Sequence, residues 1–405
     1  MLASWTADMW SPIINLFSFI PSYGFMIIVF TICLKIILSP LDYWQKKVSR
    51  SSMMKQQKLQ PEIAKLQKKY GQNTQMLNQK TMELYKREGY NVIGSCLSMF
   101  VNLALTLFIF FTLFTGLQGI SQEKTYKQYL ELEQSYNTVF YEEFRAQYGL
   151  TALEDNSDIN EKLNELINSQ ITTAQNALIE DGVEEPTEAQ ILAKARDLVF
   201  TTVIQDIVSN AQDSAAQKYE EIKDNWLWID NIWRPDTYVS GYPAYNDFKS
   251  MANINGQLGE NEARKSEITQ NYDIVTAKIQ GAYSSWNGYF ILVVLAGVVT
   301  YLSFVITQMT SSKKKKEQEL KQTPPELQQN QKQNQMQGAT KIMKFIMPVI
   351  MIIFTISYSA AFALYIVTNS LMSLIISFIS LKIMEKFEKN GKNTNKKTKK
   401  VEYSR

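Results

Sequence analysis

Histidine is absent from the chain. That removes the commonest general base and the commonest metal ligand. Cysteine is nearly absent too: Cys33 and Cys96 both fall in apolar blocks, and the polar segments hold none. A disulfide framework and a thiolate metal site are therefore excluded. Residues 1–34 carry no Lys or Arg, so no secretory n-region is expected, and no lipobox cysteine follows. The polar stretches also lack the period-2 alternation of strands, which argues against a sheet.

What remains is two unlike populations behind a mean hydropathy of -0.20. Residues 22–41, 92–116, 288–308 and 342–383 are strongly apolar, and the rest is very polar. The last block is too long for one membrane crossing. It is interrupted at Ser357, Tyr358, Ser359, Ala360 and Ala361. Five spans result, the fourth running only 342–357, short enough for the bilayer to thin beside it.

Charge orients these spans. Residues 43–91 hold 11 Lys/Arg against 3 Asp/Glu, residues 310–344 hold 8 against 3, and residues 382–405 hold 9 against 3. Residues 117–286 reverse the balance, with 13 against 28. Basic segments stay cytoplasmic, so the N-terminus is outside and the C-terminus inside. The expected fold is an all-α polytopic membrane protein. It has an interfacial helix (1–21), a first span (22–42), a cytoplasmic helical hairpin (43–91) and a second span (92–116). An extracytoplasmic helical insert (117–286), a third span (287–309), a loop (310–341), the last two spans (342–383) and a basic tail (384–405) follow.

One residue stands out against the hydropathy. Lys35 lies inside YGFMIIVFTICLKIILSPLDY, nine residues before Trp44. At about 1.5 Å per residue that is roughly 13 Å, close to mid-membrane. A charge there costs roughly 2.5 to 3.5 kcal/mol. Lys35 thus calls for a wet or polar pocket, the candidate functional site.

The flanking segments read as helices. Trp10, Ile13, Ile14, Phe17 and Ile20 fall at helical spacing before Pro21. Leu59, Ile63, Leu66 and Tyr70 form one hairpin arm, Gly71 to Asn73 turn, Leu77, Met82, Leu84 and Tyr85 form the other, and Gly89 closes it. The hairpin's basic residues suit anionic lipid. Asn102 sits mid-way along the second span with Thr106 and Thr112 nearby. The insert has helical stretches at about 122–147, 158–181, 187–224 and 258–284, with Thr187 and Gln190 placed as a capping box. Ile191, Ala195, Leu198, Val203 and Ile207 make its clearest stripe. Trp226, Trp228, Ile229, Ile232 and Trp233 have the composition of a membrane-interface segment. The third span carries Thr300, Ser303 and Thr307, and the fifth carries Asn369. The Gln-rich loop with Lys313, Lys314, Lys315 and Lys316 is expected to be mobile. The tail with Lys396, Lys397, Lys399 and Lys400 is expected to be disordered and to meet RNA or acidic lipid.

Five stretches carry a family resemblance. LQPEIAKLQKKYG (59–71) with MELYKREGYNVIGSCLSMFVNLAL (82–105), then IMPVIMIIF (346–354) and AAFALYIVTNSLMSLI (360–375), resemble the YidC/Oxa/Alb membrane-protein insertases. NWLWIDNIWRPDTY (225–238) is similar to the tryptophan-containing segment before that family's third span. The resemblance leaves out 119–224 and 239–285. It implies a hydrophilic groove open to cytoplasm and lipid and closed outside. Lys35 stands where the family has a basic residue, usually arginine, and Asn102 where it has a glutamine. Lysine keeps the charge but lacks the bidentate fork. Val92, Ser98 and Ala104 replace family prolines, so the second span should be straighter. The implied groove comprises Thr31, Lys35, Asn102, Thr106, Thr300, Ser303 and Asn369. The lysines of the loop and tail are assigned to the ribosome and to lipid.

The implied function is insertion of nascent hydrophobic segments from cytoplasm into the bilayer of a bacterial cell, alone or with the Sec translocon. Nascent membrane proteins, the ribosome, the translocon, the signal-recognition receptor and anionic lipids are the implied partners. No cofactor or metal is called for, and the chain is not expected to be an enzyme. An assembly scaffold without insertion activity is the main alternative. A transporter or channel fits less well, since the spans show no internal repeat. An intramembrane protease lacks its paired aspartates or zinc motif. The topology has a direct check: protease added to right-side-out vesicles should clip within 119–285 and spare the hairpin, whereas cleavage within 45–90 would invert it.

Overall fold

The computed structural model describes residues 9–402 apart from 11, 14, 15, 18, 90, 91, 154, 155, 238–241, 283–285, 304 and 307–334. Ile14, Thr307 and the lysine run at 313–316 thus lie outside the described residues. The elements are α1 (Tyr23–Tyr70), α2 (Thr74–Arg87), α3 (Val92–Tyr148), α4 (Ser157–Ser169), α5 (Ile171–Glu180), α6 (Glu188–Leu198), α7 (Gln205–Ile222), α8 (Tyr245–Met251), α9 (Ile254–Leu258), α10 (Glu262–Ala282), α11 (Ile291–Ser303), α12 (Gln335–Ser357) and α13 (Ala360–Glu402). No strand occurs among the described residues. The chain divides into two units, one of Met1–Gly119, Arg234–Asp236 and Phe290–Arg405, the other of Ile120–Trp233 and Thr237–Tyr289.

In the first unit, two stretches are long and apolar enough to cross a membrane, Tyr23–Trp44 and Ala360–Ser380; Ile291–Ser303 and Phe345–Ser357 are shorter apolar helices. The boundary expected near residue 42 is a change of composition, not a helix end: α1 runs 48 residues, through Pro40 and Pro61. After Gly71, the Asn73 side chain accepts from the Met76 amide at 3.0 Å and starts α2. Arg87 pairs with Glu62 at 2.7 Å across the two arms, over buried Leu59 and Leu84. Gly89, at φ +63, ends the hairpin in a backbone region that favours glycine. α3 contains no proline and runs 57 residues, contributing to both units.

α12 and α13 form a hairpin around Tyr358 and Ser359, whose carbonyl accepts the Phe362 and Ala363 amides. Phe114 of α3 packs edge-on to Phe354, Tyr358 and Phe362 at 5.7, 4.7 and 4.9 Å. Gly297 allows α11 close to α12, since a Cβ there would stand 2.7 Å from Ile352 Cδ1. Each of these helices also keeps an uncovered apolar face. Leu105, Phe108 and Phe111 on α3, Val294 and Val298 on α11, Val349 and Ile353 on α12, and Leu371, Ile375 and Phe378 on α13 are exposed. Faces of that extent, repeated at helical spacing, fit lipid rather than water. Trp10 and Phe17 pack edge-on to Phe30 of α1, which ties the N-terminal segment to the first span.

Two expectations are corrected here. The basic tail is helical through Glu402 rather than disordered. No proline follows Pro348, and lysines favour a helix C-terminus. α12 begins at Gln335, inside the stretch expected to be a loop.

The second unit has its own core. Tyr129, Leu132, Tyr136, Phe140 and Phe144 line one side of α3 and are buried with Ala211, Ala215 and Tyr219 of α7 and Ile268, Tyr272 and Val275 of α10. Tyr129, Phe248 and Tyr272 pack ring to ring at 4.5 to 5.3 Å. Arg145 holds Asp158 at 2.8 Å, and Arg264 binds the carboxylate of Glu133. The capping box at Thr187 and Gln190 is present. The expected 187–224 helix, however, is interrupted by a π-turn at Val199–Val203. Thr201 and Thr202 turn their hydroxyls back onto the carbonyls of Asp197 and Leu198, and such back-bonding in a β-branched run bends a helix. The added residue shifts the stripe: Val203 is 36% exposed and Ile204 takes its place at 1%. The expected 158–181 helix is likewise split, at Gln170.

The tryptophan segment is also corrected. Trp226, Ile229, Ile232 and Trp233 are buried in protein, not laid out as an interfacial belt. Trp226 and Ile229 exchange backbone bonds of 2.9 Å around Leu227 at φ 52. The Trp233 indole donates to the Asp224 carboxylate. Burial pushes the Asp224 carboxyl upward and this bond opposes the shift. Asn231 is buried with its amide donating to Gln128 at 3.0 Å, and its backbone exchanges bonds with Asn287.

Burial also raises the phenols of Tyr129, Tyr136 and Tyr141 above their ordinary value of 10.0. A raised folded value means stability present below pH about 10 and lost above it, as unfolded tyrosines ionise first. Circular dichroism of the purified chain should hold through pH 9 and decline above 10. A fraction of the tyrosines should titrate late, together with that decline.

Candidate functional site

α1 brings its polar residues to one side. Thr31, Lys35, Ser39 and Asp42 recur at three to four residues. Lys35 Nζ lies 3.7 Å from Asp42 Oδ2, with side-chain exposures of 16% and 25%. Thr31 is fully buried and gives its hydroxyl proton to the Ile27 carbonyl at 2.6 Å. Pro40 has no amide to give the carbonyl four residues back, that of Ile36, so a backbone acceptor is released between the two charges.

α13 packs against α1 and carries a polar stripe of its own. Ser373 donates to the Asn369 carbonyl at 2.7 Å, Ser377 to the Ser373 carbonyl at 2.5 Å, and Ser380 is buried. Ser303 of α11 donates to the Ser370 carbonyl at 3.3 Å, which joins the third-span and fifth-span candidates. Thr300 Oγ1 is buried with no hydrogen-bond partner among the described residues. Thr112 bonds its own helix at Ile109. Asn102 and Thr106 lie on α3, and Lys396, Lys397, Lys399 and Lys400 near the end of α13; the side chains of all six are outside what is described.

The opposite ends of the same helices are closed by residues 234–236. The Ala360 amide at the start of α13 donates to the Arg234 carbonyl at 2.7 Å. The Leu292 amide at the start of α11 donates to Asp236 Oδ2 at 2.7 Å. Both loop side chains are buried. A carboxylate on a helix N-terminus answers orphan amides and the helix dipole together. Among the described residues, no three His, Cys, Asp or Glu side chains gather to hold a metal.

The family described as 60Kd inner membrane protein matches residues 15–182 and 198–389. The chain belongs to that family, which is the YidC/Oxa1 family. The match takes in both long apolar helices, the hairpin and most of the insert. Curated relatives named membrane protein insertase YidC match more locally. That of Fusobacterium nucleatum is 42% identical over 99 residues, covering 24% of this chain and 46% of the relative. That of Clostridium perfringens is 40% identical over 103 residues, covering 24% and 41%. That of Leptospira interrogans is 40% identical over 97 residues, covering 24% and 14%. The chain thus spans less than half the length of these relatives. The family description and the apolar helices give this chain a bacterial membrane location.

Several residues of this site carry a weaker signal in the sequence than Lys35 does. Asp42 was readable as the counter-charge seven residues beyond Lys35. The serines at 373, 377 and 380 were readable from their spacing. The caps at 234 and 236 act 126 and 56 residues away in sequence, and no local signal marks them. Replacing Asp236 by alanine should cost about 1 to 2 kcal/mol through the lost cap. Asp236→Asn, which keeps an acceptor, should restore most of it; thermal unfolding of the detergent-solubilised chain is the measurement.

Proposed function

We propose that this chain is a membrane-protein insertase that moves nascent hydrophobic segments from the cytoplasm into the bilayer along a polar groove. The sheltered cation at mid-span, Lys35, carries this reading. Family membership, the apolar faces left uncovered on several helices and the polar stripes of α1 and α13 support it. The arrangement is five spans with the N-terminus outside and the C-terminus inside, which suits every charged segment. α12 and α11 supply the spans that are short by composition alone.

The chemistry is transfer, not bond-making. Apolar surface of the client moves from water to lipid at about 25 cal/mol per Å². The opposing term is the client's polar flank, which must cross a low-dielectric region. Lys35, Ser373, Ser377, Asn102, Thr106 and Asn369 lower that term, most of all when the flank is acidic. The caps at 234–236 close the outer end, so the groove opens to the cytoplasm and lipid. The basic hairpin meets anionic lipid, and the lysines of the 313–316 run and the tail meet the ribosome. The Sec translocon and the signal-recognition receptor are partners in the same reading. The chain acts without a cofactor and is not an enzyme.

A scaffold without insertion activity is separated by one assay. Paired clients that differ only in acidic flank residues are presented to the chain, and insertion is read by cross-linking and protease protection. Lys35→Arg should retain insertion of both. Lys35→Glu should reduce the acidic-flank client by roughly tenfold, because about 1.4 kcal/mol of like-charge repulsion suffices for that factor. Lys35→Ala should fall between. Equal insertion of both clients by Lys35→Glu, at matched protein levels, would remove the direct role of the charge.

A further inference from the structure

Lys35 is not a bare charge. Within Tyr23–Trp44 the only charged residues are Lys35 and Asp42. Seven residues of helix place them about 20° apart in azimuth and about 10 Å in rise, a gap that the lysine stem spans. Their charged atoms stand 3.7 Å apart, close enough for strong attraction but too far for a hydrogen bond. Both side chains are mostly sheltered, so the attraction is stronger than at an open surface. Ser39 and the carbonyl released by Pro40 lie between them on the same helix.

We infer that Asp42 is a resident counter-ion for Lys35 that competes with acidic client flanks, and so sets how acidic a flank must be to gain from the lysine. This rests on the insertase reading above. Without a client, the pair leaves the apolar helix neutral and Lys35 matched, which avoids a lone sheltered charge. A client carboxylate that reaches Lys35 exchanges with Asp42. One carboxylate replacing another is nearly even in free energy, so a single acidic residue gains little. A second carboxylate outcompetes Asp42. Removing Asp42 takes away the competitor and lets the first client carboxylate collect the whole attraction.

The test uses the purified full chain in liposomes. Single-span clients carry zero, one or two acidic residues in an otherwise identical flank. The protease-protected fraction of each acidic client is divided by that of the neutral one. With the wild-type chain the first carboxylate should leave this ratio near one and the second should raise it. With Asp42→Asn the first carboxylate should already raise it, by about threefold or more, at least what an exposed ion pair contributes. Asp42→Glu should keep the wild-type threshold. In a Lys35→Gln background, Asp42→Asn should leave the ratio unchanged. A wild-type response in which the first carboxylate gives the full gain would overturn the inference even if Asp42→Asn failed to fold. So would an equal rise in the Lys35→Gln background, which would make Asp42 a repeller acting without the lysine. Wild-type insertion of every client no better than protein-free liposomes would overturn the insertase reading and this inference with it. Insertion well above that level with a ratio flat across the series would overturn the inference alone.

Discussion

A cation inside an apolar helix is the constraint that the stretch Tyr23–Trp44 has to satisfy, and Lys35 lies 3.7 Å from Asp42 with both side chains mostly sheltered. A cation in an apolar helix needs either water or a counter-charge, and its cost falls steeply when one is present. α1 meets that need within its own sequence, seven residues on. Elsewhere in the unit, α13 carries serines at one helical stripe, and α11 adds Ser303 bonded to the Ser370 carbonyl. The faces away from these polar residues are apolar and uncovered. The first unit thus carries uncovered apolar faces as well as short polar stripes on α1 and α13.

Helix ends pose the complementary problem. In an apolar medium, every unanswered amide at a helix start is expensive. Residues 234–236 answer two such starts at once, by the Arg234 carbonyl to α13 and by the Asp236 carboxylate to α11. The same three residues therefore fix where both helices begin. The loop is buried and caps both helices with the same three residues.

The second unit follows different rules. Its stability comes from aromatic packing along α3 against α7 and α10, with alanines at 211 and 215 admitting the rings. Its irregularities have local causes. Back-bonded threonines open the π-turn, and the displaced register buries Ile204 where regular spacing points to Val203. The tryptophans of 226–233 are held by Asp224 and by reciprocal backbone bonds. A tryptophan looks the same in sequence whether its ring meets a headgroup or a protein core, so composition alone does not distinguish the two.

Composition and periodicity were enough to reveal an all-helical chain, its apolar blocks, the turn at Gly71 to Asn73, the capping box at Thr187 and the anomalous Lys35, because each of these is a local property. Hydropathy is a sum over neighbours in sequence, and a cap or turn is settled within four residues. Helix ends at composition boundaries were not legible: α1 and α3 run straight across such boundaries, since a helix stops where its backbone bonds stop, not where its side chains change character. The tail's helix was missed for the same reason. The site was half legible. Lys35, Ser303 and Asn369 announced themselves as polar residues in apolar runs, while Asp42 looked like the polar edge of a span until its carboxylate was seen 3.7 Å from the lysine. Only the tertiary structure could decide the pairing of α1 with α13, the Ser303 bond to α13 and the capping by 234–236. Those depend on which distant segments pack together, and packing is decided by the whole chain's shape rather than by any stretch of it.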